Sequence, residues 1–240
     1  MKALILNSGM GTRMGKYTME HPKCMTDITD NDSIISRQLK LIAEAGIEDV
    51  VITIGYFDQV LIDYCHSLKL PLKYIFVMNP LYRETNYIYS IYCARDALMN
   101  DDIIMIHGDL VFEKQVFDRV IASPVSCMTV SSTVPLPEKD FKAVILDDRI
   151  KKVGIEFFEN TVAAQPLYRI NKNDWNVWLD KISVFCEDNN RKCYAENAFN
   201  QVSDECLIYP LDVMDALCSE IDTPADLASV LTRIEKQGLI

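Results

Sequence analysis

Residues 1–25 form the stretch MKALILNSGMGTRMGKYTMEHPKCM, in which a short apolar run is followed by a glycine-rich loop. The apolar residues 3–6 predict a short buried strand. Gly9, Gly11 and Gly15 follow in a segment where larger side chains would obstruct a close approach to the backbone. This order predicts that a ligand lies against the loop.

The spacing of these glycines separates the loop from two common phosphate-binding motifs. It is GxGxxxG, one residue longer than the dinucleotide fingerprint GxGxxG, and the later predicted strand VVITIGY ends in Tyr56 where that fingerprint needs an acid. The GKS or GKT of a Walker A motif is absent from the sequence. Taken alone, the loop is equally consistent with a tight connection.

Two cations change this balance. Arg13 lies within the loop and Lys23 follows Pro22. Together with backbone N–H groups, such cations hold a triphosphate and stabilise the charge that develops on a phosphorus under attack. We therefore predict catalytic roles for Arg13 and Lys23, against the alternative that each is a solvated surface charge.

Together the segments SGMGTRMG and PKCM resemble the signature of the nucleotidyltransferase superfamily, whose members carry a GxGTR(M/L) loop and a following PK. The usual form begins AAG, whereas this chain has Asn-Ser-Gly at positions 7–9. The resemblance implies nucleotide contacts from the loop and from Lys23. The loop residues concerned are Asn7, Ser8, Gly9, Met10, Gly11, Thr12 and Arg13.

The resemblance also implies a metal site made of two aspartates. Asp109 ends the apolar strand of IIMIHGDLVF, and Asp222 lies in SEIDTPADL before the last predicted helix. Family members bind the metal through a strand-end Gly-Asp and a second Asp in an EID segment, so we expect Mg²⁺ here, with Mn²⁺ as a substitute. The alternatives are a Gly-Asp turn and a helix cap. We predict a structural role for His107, because an ionised phosphate acceptor needs no general base.

The stretch NPLYRETNYIYSIYCARDAL resembles the corresponding segment of the bacterial CTP:phosphocholine cytidylyltransferase group. That group and its relatives activate phosphorylated small molecules or phosphonates with CTP. The resemblance implies transfer of CMP with release of pyrophosphate, and nucleotide contacts from Asn79, Asn86, Ser90 and Asp109.

An acceptor that carries a quaternary ammonium requires an aromatic cage, with a carboxylate nearby. The candidates are Tyr168, Tyr194 and Glu196. Trp175 and Trp178 lie three residues apart on a predicted helix, a spacing that is more typical of core packing than of a pocket.

Three alternatives to a cytidylyltransferase stay open: a metal-dependent nucleotide-sugar glycosyltransferase, a sugar-phosphate nucleotidyltransferase, and a non-catalytic nucleotide-binding module. A glycosyltransferase typically uses a DxD motif, whereas this chain has Asp109-Leu110-Val111. The presence of Arg13, Lys23 and both aspartates favours an enzyme over a binding module.

Strand and helix patterns alternate along residues 1–122, which predicts a mostly parallel sheet with helices on both faces. After Ser123 the runs SCMTVSS, FKAVILDD and RIKKVGIEF predict short antiparallel strands. The expected fold is α/β, the Rossmann-like mixed sheet of nucleoside triphosphate transferases with a small antiparallel acceptor-binding region. We expect a single domain over 1–240, with nucleotide binding in 1–122, acceptor binding in 123–210, and the second metal aspartate and terminal helix in 211–240.

The composition limits the kinds of partner and the cellular compartment that we expect. The 240 residues carry a formal net charge of −11, which argues against a nucleic-acid backbone or an anionic membrane as the main partner. The eight cysteines include no CxxC pair and predict reduced, mostly buried thiols. The N-terminal apolar run is too short for a signal-peptide core, so we expect a cytoplasmic protein. The sequence makes no prediction of oligomeric state.

Overall fold

The computed structural model describes residues 1–238. They contain eleven strands and seven α-helices. The strands are β1 (Lys2–Leu6), β2 (Asp49–Ile54), β3 (Lys73–Met78), β4 (Ile103–His107), β5 (Leu110–Phe112), β6 (Cys127–Ser131), β7 (Lys142–Leu146), β8 (Arg149–Gly154), β9 (Thr161–Ile170), β10 (Tyr209–Asp212) and β11 (Cys218–Glu220). The helices are α1 (Ile34–Glu44), α2 (Asp58–Ser67), α3 (Tyr87–Leu98), α4 (Lys114–Ala122), α5 (Lys172–Glu187), α6 (Ala195–Phe199) and α7 (Pro224–Gln237). Short 3₁₀ turns cover Thr12–Thr18 and Lys23–Met25.

The first half of the chain builds the parallel part of a nine-stranded sheet, in which β3, β2, β1 and β4 are neighbours in that order. Strand β1 is buried on both faces. Ala3 and Ile5 belong to the hydrophobic cluster on one side, and Leu4 and Leu6 to the cluster on the other. Burial on both faces is what a parallel sheet between two helical layers requires, and it confirms the predicted fold class.

The second half adds antiparallel strands to the same sheet. Strand β9 lies between β4 and β6 and is antiparallel to both, and the β7–β8 hairpin pairs with its first residues. Sequence analysis assigned no strand to residues 161–170, which contain Pro166. The structure accommodates this proline where the β6–β9 register shifts, between Met128 and Val130. Such an irregularity tolerates a residue that cannot donate to the ladder.

Short local motifs define the ends of two helices. Ser33 caps α1 through a reciprocal capping box with Ser36, and Gly46 follows the helix in the left-handed conformation at φ 74°. Thr223 caps α7 with Pro224 in the first turn and Asp226 completing the capping box.

The carboxyl ends of β1, β2, β3 and β4 meet at one edge of the sheet, where α/β folds bind their ligands. Helix α7 packs against the glycine loop at this edge, because the fully buried Met14 shares a cluster with Leu227 and Val230. All eight cysteines are free thiols, and six of them are buried. Within residues 1–238, no helix is both long enough and apolar enough to cross a membrane.

Candidate active site

The glycine loop and the Pro-Lys segment pack directly on each other. Gly11 has φ 62°, a conformation that L side chains rarely adopt, and a Cβ at this position would lie 2.9 Å from Lys23 Cβ. The Thr18 hydroxyl donates to the Gly11 carbonyl at 3.1 Å. The loop therefore requires glycine at position 11 both for its positive φ and for the close approach of Lys23. That close approach brings Lys23 into the site.

The two predicted metal aspartates converge on one ammonium group. Lys23 Nζ donates to Asp222 Oδ1 at 2.8 Å and also forms an ion pair with Asp109 Oδ2. Arg13 reaches the same Asp222 oxygen at 2.9 Å, although its own side chain is mostly exposed. Four residues that are distant in sequence thus form one cluster of alternating charge.

This cluster keeps its members ionised. Burial alone would raise the pKa of Asp109, but the charge of Lys23, followed by that of His107, outweighs it and holds this pKa below its ordinary value. Burial alone would lower the pKa of Lys23, but the charges of Asp109 and Asp222 outweigh it and raise this pKa. At neutral pH the site therefore holds a carboxylate and an ammonium in contact.

A third acid, Glu220, adjoins this cluster, and sequence analysis did not predict it. Glu220 accepts from His107 Nδ1 at 3.1 Å, and burial, with the charge of Asp109 as the next cause, raises the pKa of Glu220 to about 6. Burial alone would lower the pKa of His107, but the hydrogen bond to Glu220 together with the charges of the surrounding acids outweighs it and raises this pKa. The sequence contained one signal for Glu220. Residues two apart on an extended chain face the same side, and Glu220, the last residue of β11, lies two residues before Asp222.

The donor set suits a hard divalent cation. One ligand atom from each of His107, Asp109 and Glu220 lies within 4.8 Å of the others. Asp109 Oδ1 is buried and has no hydrogen-bond partner among residues 1–238. An unpaired buried carboxylate oxygen next to a second carboxylate is a position where a cation fits.

Neighbouring strand ends bring Asn7 and Gly108 together. The Gly108 N–H donates to the Leu6 carbonyl at 3.1 Å, and a Cβ on Gly108 would lie 1.7 Å from Asn7 Oδ1. The Ser8 hydroxyl lies 2.5 Å from that of Ser90, which also accepts from Asn79 Nδ2 at 2.9 Å. These contacts fix the polar floor of a cleft.

The cleft has a volume of about 400 Å³ and is lined by most of the residues predicted for the site. The predicted residues in its wall are Asn7, Ser8, Gly9, Met10, Gly11, Thr12, Arg13, Lys23, Asn79, Asn86, Asp109, Tyr194 and Asp222. Ser90 is fully buried behind Ser8 and contributes no surface to the cleft. Its role is to hold Ser8 and Asn79.

Four rings in the cleft wall pack against one another. Tyr87, His107, Phe141 and Tyr194 form a closed sequence of neighbours with centroid separations of 4.7, 6.4, 5.0 and 5.9 Å. We call these four residues the aromatic box. Only Tyr194 of this set was expected at the acceptor site. Trp175 and Trp178 are instead fully buried and donate to the Leu98 and Ala195 carbonyls, so both belong to the core.

Tyr168 and Glu196 lie behind the box rather than in it. Both are buried and absent from the cleft wall, so the direct acceptor contact expected of them is not available in this structure. Glu196 accepts from the Tyr168 hydroxyl at 2.8 Å and from the Tyr87 hydroxyl. Burial, followed by the charge of Glu196, raises the pKa of Tyr87 well above its ordinary value, so the phenol keeps its proton. Glu196 can reach a ligand only through Tyr87.

Residues 3–135 match the family model of the MobA-like NTP transferase domain. The chain belongs to this family. The match covers the glycine loop, Lys23 and Asp109, and the remainder of this NTP transferase lies outside it. Asp222 lies outside the matched residues.

Two curated proteins similar to this NTP transferase are cytidylyltransferases by name. One is the CTP:phosphoglutamine cytidylyltransferase of Campylobacter jejuni, 29% identical over 126 residues, which are 50% of this chain and 48% of that protein. The other is the choline-phosphate cytidylyltransferase of Streptococcus pneumoniae, 34% identical over 104 residues, which are 43% of each chain. The chain thus matches less than half the length of either relative.

The fold likeness extends further than the sequence likeness. The solved structure of the CTP:phosphocholine cytidylyltransferase of Streptococcus pneumoniae superimposes with a TM-score of 0.80, covering 97% of this chain and 98% of that one at 20% identity. At this identity the superposition establishes the shared fold.

Proposed function

We propose that this protein transfers CMP from CTP to a small phosphorylated or phosphonate acceptor and releases pyrophosphate. An oxygen of the acceptor forms a bond to the α-phosphorus of CTP, and the bond between that phosphorus and the bridging oxygen to the β-phosphate breaks. The electron pair leaves with pyrophosphate. One observation carries the proposal: the loop cations Arg13 and Lys23 contact the carboxylates that the family motif provides.

The two cations have distinct positions. Lys23 is largely buried, whereas the side chain of Arg13 is 69% exposed at the mouth of the cleft. A buried ammonium is strongest where charge develops in the transition state, because little water competes with it. We assign Lys23 to the α-phosphate and Arg13 to the outer phosphates of the triphosphate.

The carboxylates are assigned to a metal. Asp109 and Asp222 would hold Mg²⁺, or Mn²⁺ as a substitute, with Glu220 and His107 adjoining them. A divalent cation bound there neutralises part of the charge of two polyanions that must meet. The acceptor phosphate is already ionised, and no residue has to remove a proton from it.

The aromatic box supports an acceptor with a cationic amine. The faces of Tyr87, Phe141 and Tyr194 attract a positive charge. Glu196 is fully buried, and no lysine or arginine within residues 1–238 forms an ion pair with it. A cationic group in the box would supply the missing positive charge across the Tyr87 ring.

The choice of CTP rests on the similarity to the two cytidylyltransferases described above and on the NPLYRETNYIYS segment, whose Asn79 and Asn86 line the cleft. Asn7 lines the cleft, and its Nδ2, which has no hydrogen-bond partner within residues 1–238, is a donor that the edge of a pyrimidine could use.

Pyrophosphate release tests the proposal. The full chain would be incubated with Mg²⁺, each of CTP, UTP, GTP and ATP, and acceptors that include phosphocholine, phosphoethanolamine, 2-aminoethylphosphonate and phosphoglutamine. We expect release with CTP and an amine-bearing acceptor. Release only with a sugar 1-phosphate and another triphosphate would favour a sugar-phosphate nucleotidyltransferase, and sugar transfer from a nucleotide sugar would favour a glycosyltransferase.

A further inference from the structure

We propose that Gln38 is a positioning residue for Asp109, acting from helix α1 through the backbone of the turn that presents this carboxylate. The inference rests on the proposed role of Asp109 as a metal ligand. It does not depend on which nucleotide or acceptor is used.

Gln38 donates hydrogen bonds to both sides of the turn. Its Nε2 donates to the His107 carbonyl at 3.0 Å and to the Leu110 carbonyl at 2.8 Å. Between these two carbonyls lie only Gly108 and Asp109. A primary amide has two N–H donors, and both are used here, which fixes the orientation of the amide since its oxygen could not bond to a carbonyl.

The other hydrogen bonds of the turn connect it to different parts of the fold. The Gly108 N–H is fixed to the Leu6 carbonyl at 3.1 Å, and the Asp109 carbonyl accepts from the Ile221 N–H at 3.0 Å. Those bonds tie the turn to β1 and to the segment that carries Asp222. Among the hydrogen bonds of residues 1–238, those of Gln38 are the ones that connect the turn to α1, a helix anchored by its capping box and its buried face.

A buried glutamine is a costly way to fill this space. Gln38 is 1% exposed, and its Oε1 has no hydrogen-bond partner within residues 1–238. An aliphatic side chain of similar volume would avoid the cost of that unpaired oxygen. The two donated bonds are therefore what the polar side chain contributes.

The consequence for a metal follows from the geometry of the turn. Asp109 Oδ1 is buried and unpaired within the described residues, and a shift of the backbone at Asp109 would move it. Groups that orient a ligand without touching the metal change metal affinity or activity by about 10- to 100-fold. Loss of the Gln38 donors should weaken metal binding while the carboxylate itself is retained.

The test measures Mn²⁺ binding to the full chain without nucleotide, by the electron paramagnetic resonance signal of free Mn²⁺. Gln38→Met keeps the volume and removes both donors. Thr129→Val is the control, because the Thr129 hydroxyl also donates inside the core to a carbonyl, that of Gln165 at 2.9 Å, and makes no hydrogen bond to residues 107–110 within the described part of the chain. We expect Gln38→Met to raise the Kd for Mn²⁺ about tenfold or more and Thr129→Val to leave it unchanged.

Thermal unfolding of both variants separates positioning from general destabilisation. A folded Gln38→Met protein with the Mn²⁺ affinity of the wild type would overturn the proposal, as would an equal loss in Thr129→Val. If Gln38→Met does not fold, Gln38→Asn takes its place: the shorter amide keeps its donors but cannot reach both carbonyls, and unchanged affinity there would overturn the proposal equally. Because Mn²⁺ binding needs no transfer reaction, this result is independent of whether CTP is the substrate.

Discussion

Lys23 Nζ lies 2.8 Å from Asp222 Oδ1, and the same nitrogen pairs with Asp109. One ammonium group therefore contacts both carboxylates that we assign to the metal. Lys23 and a divalent cation would compete for these two carboxylates, so we expect this lysine to give up its contacts when a cation and a triphosphate enter. The Lys23 side chain can make this movement, because its ammonium group is carried on a flexible four-carbon chain.

Lys23→Met should have opposite effects on metal binding and on catalysis. Without nucleotide we expect tighter Mn²⁺ binding, because the competing ammonium is gone, and with substrates we expect turnover to fall on the order of 100-fold. Loss of the partner of Asp109 should destabilise the metal-free protein by about 3 kcal/mol. Lys40→Met, which breaks the partly exposed pair with Asp32, is the control and should change neither quantity. Unaltered Mn²⁺ affinity in Lys23→Met would contradict the competition.

Arg13→Ala should reduce turnover by a similar order while leaving the unfolding midpoint unchanged, because the side chain is 69% exposed. Circular dichroism melting and steady-state kinetics on the same preparation would check both parts. Near-normal turnover in this variant would show that the exposed arginine does not meet the triphosphate.

Asp109→Asn and Asp222→Asn should each abolish metal-dependent transfer, lowering it by at least about 100-fold, because each removes a charged ligand at constant volume. Chelator should stop the wild-type reaction and excess Mg²⁺ or Mn²⁺ should restore it. Asp147→Asn is a suitable control: Asp147 is exposed in the β7–β8 turn at φ 51°, a conformation that Asn also tolerates. Undiminished transfer by Asp109→Asn would refute the assignment.

Glu196→Gln should impair recognition of the acceptor and spare the nucleotide. The KM for a cationic acceptor should rise about tenfold, because the buried charge behind Tyr87 is lost, while the KM for CTP stays unchanged. A neutral acceptor of similar size is the matched comparison and should respond little. Parallel increases of KM for CTP and for both acceptors would indicate a general collapse of the cleft instead.

Gly108→Ala should destabilise the protein by about 2 kcal/mol, since a Cβ there would lie 1.7 Å from Asn7 Oδ1 and 2.7 Å from the Leu6 carbonyl. Gly9→Ala is the control from the same site, because no atom lies within 4 Å of a Cβ at position 9. Urea unfolding of the two variants measures the difference. Equal stability would show that the β1 and β4 ends separate easily.

Stability should fall as the pH rises above about 9. Burial raises the pKa of the Cys65 thiol to about 12, from an unfolded value of 9.0, so between these values the folded chain holds a proton that the unfolded chain has released. In this range the free energy of unfolding falls by up to about 1.4 kcal/mol per pH unit for such a group. Cys65→Val should flatten the decline in urea-derived stability between pH 9 and 10. A slope identical to the wild type would show that other groups cause the decline.

The sequence by itself determined those features that depend on near neighbours. The alternation of strands and helices up to His107, the caps at Ser33 and Thr223, and the glycine at position 11 follow from local spacing and from backbone conformations that few residues adopt. Resemblance to a family motif then pointed to Lys23 and Asp109, because both lie within short local motifs.

Only the tertiary structure decided which groups meet. Strand β9 was missed because Pro166 argues against a central strand, and only the register shift against β6 accommodates it. Glu196 was expected in contact with the acceptor, but packing of α6 places it behind Tyr87, 109 positions earlier in the chain. The Lys23–Asp222 contact spans 199 positions and Gln38 reaches the Asp109 turn across about 70. Such contacts arise from the order of strands in the sheet, which determines the neighbours of each strand end and leaves no mark in local sequence.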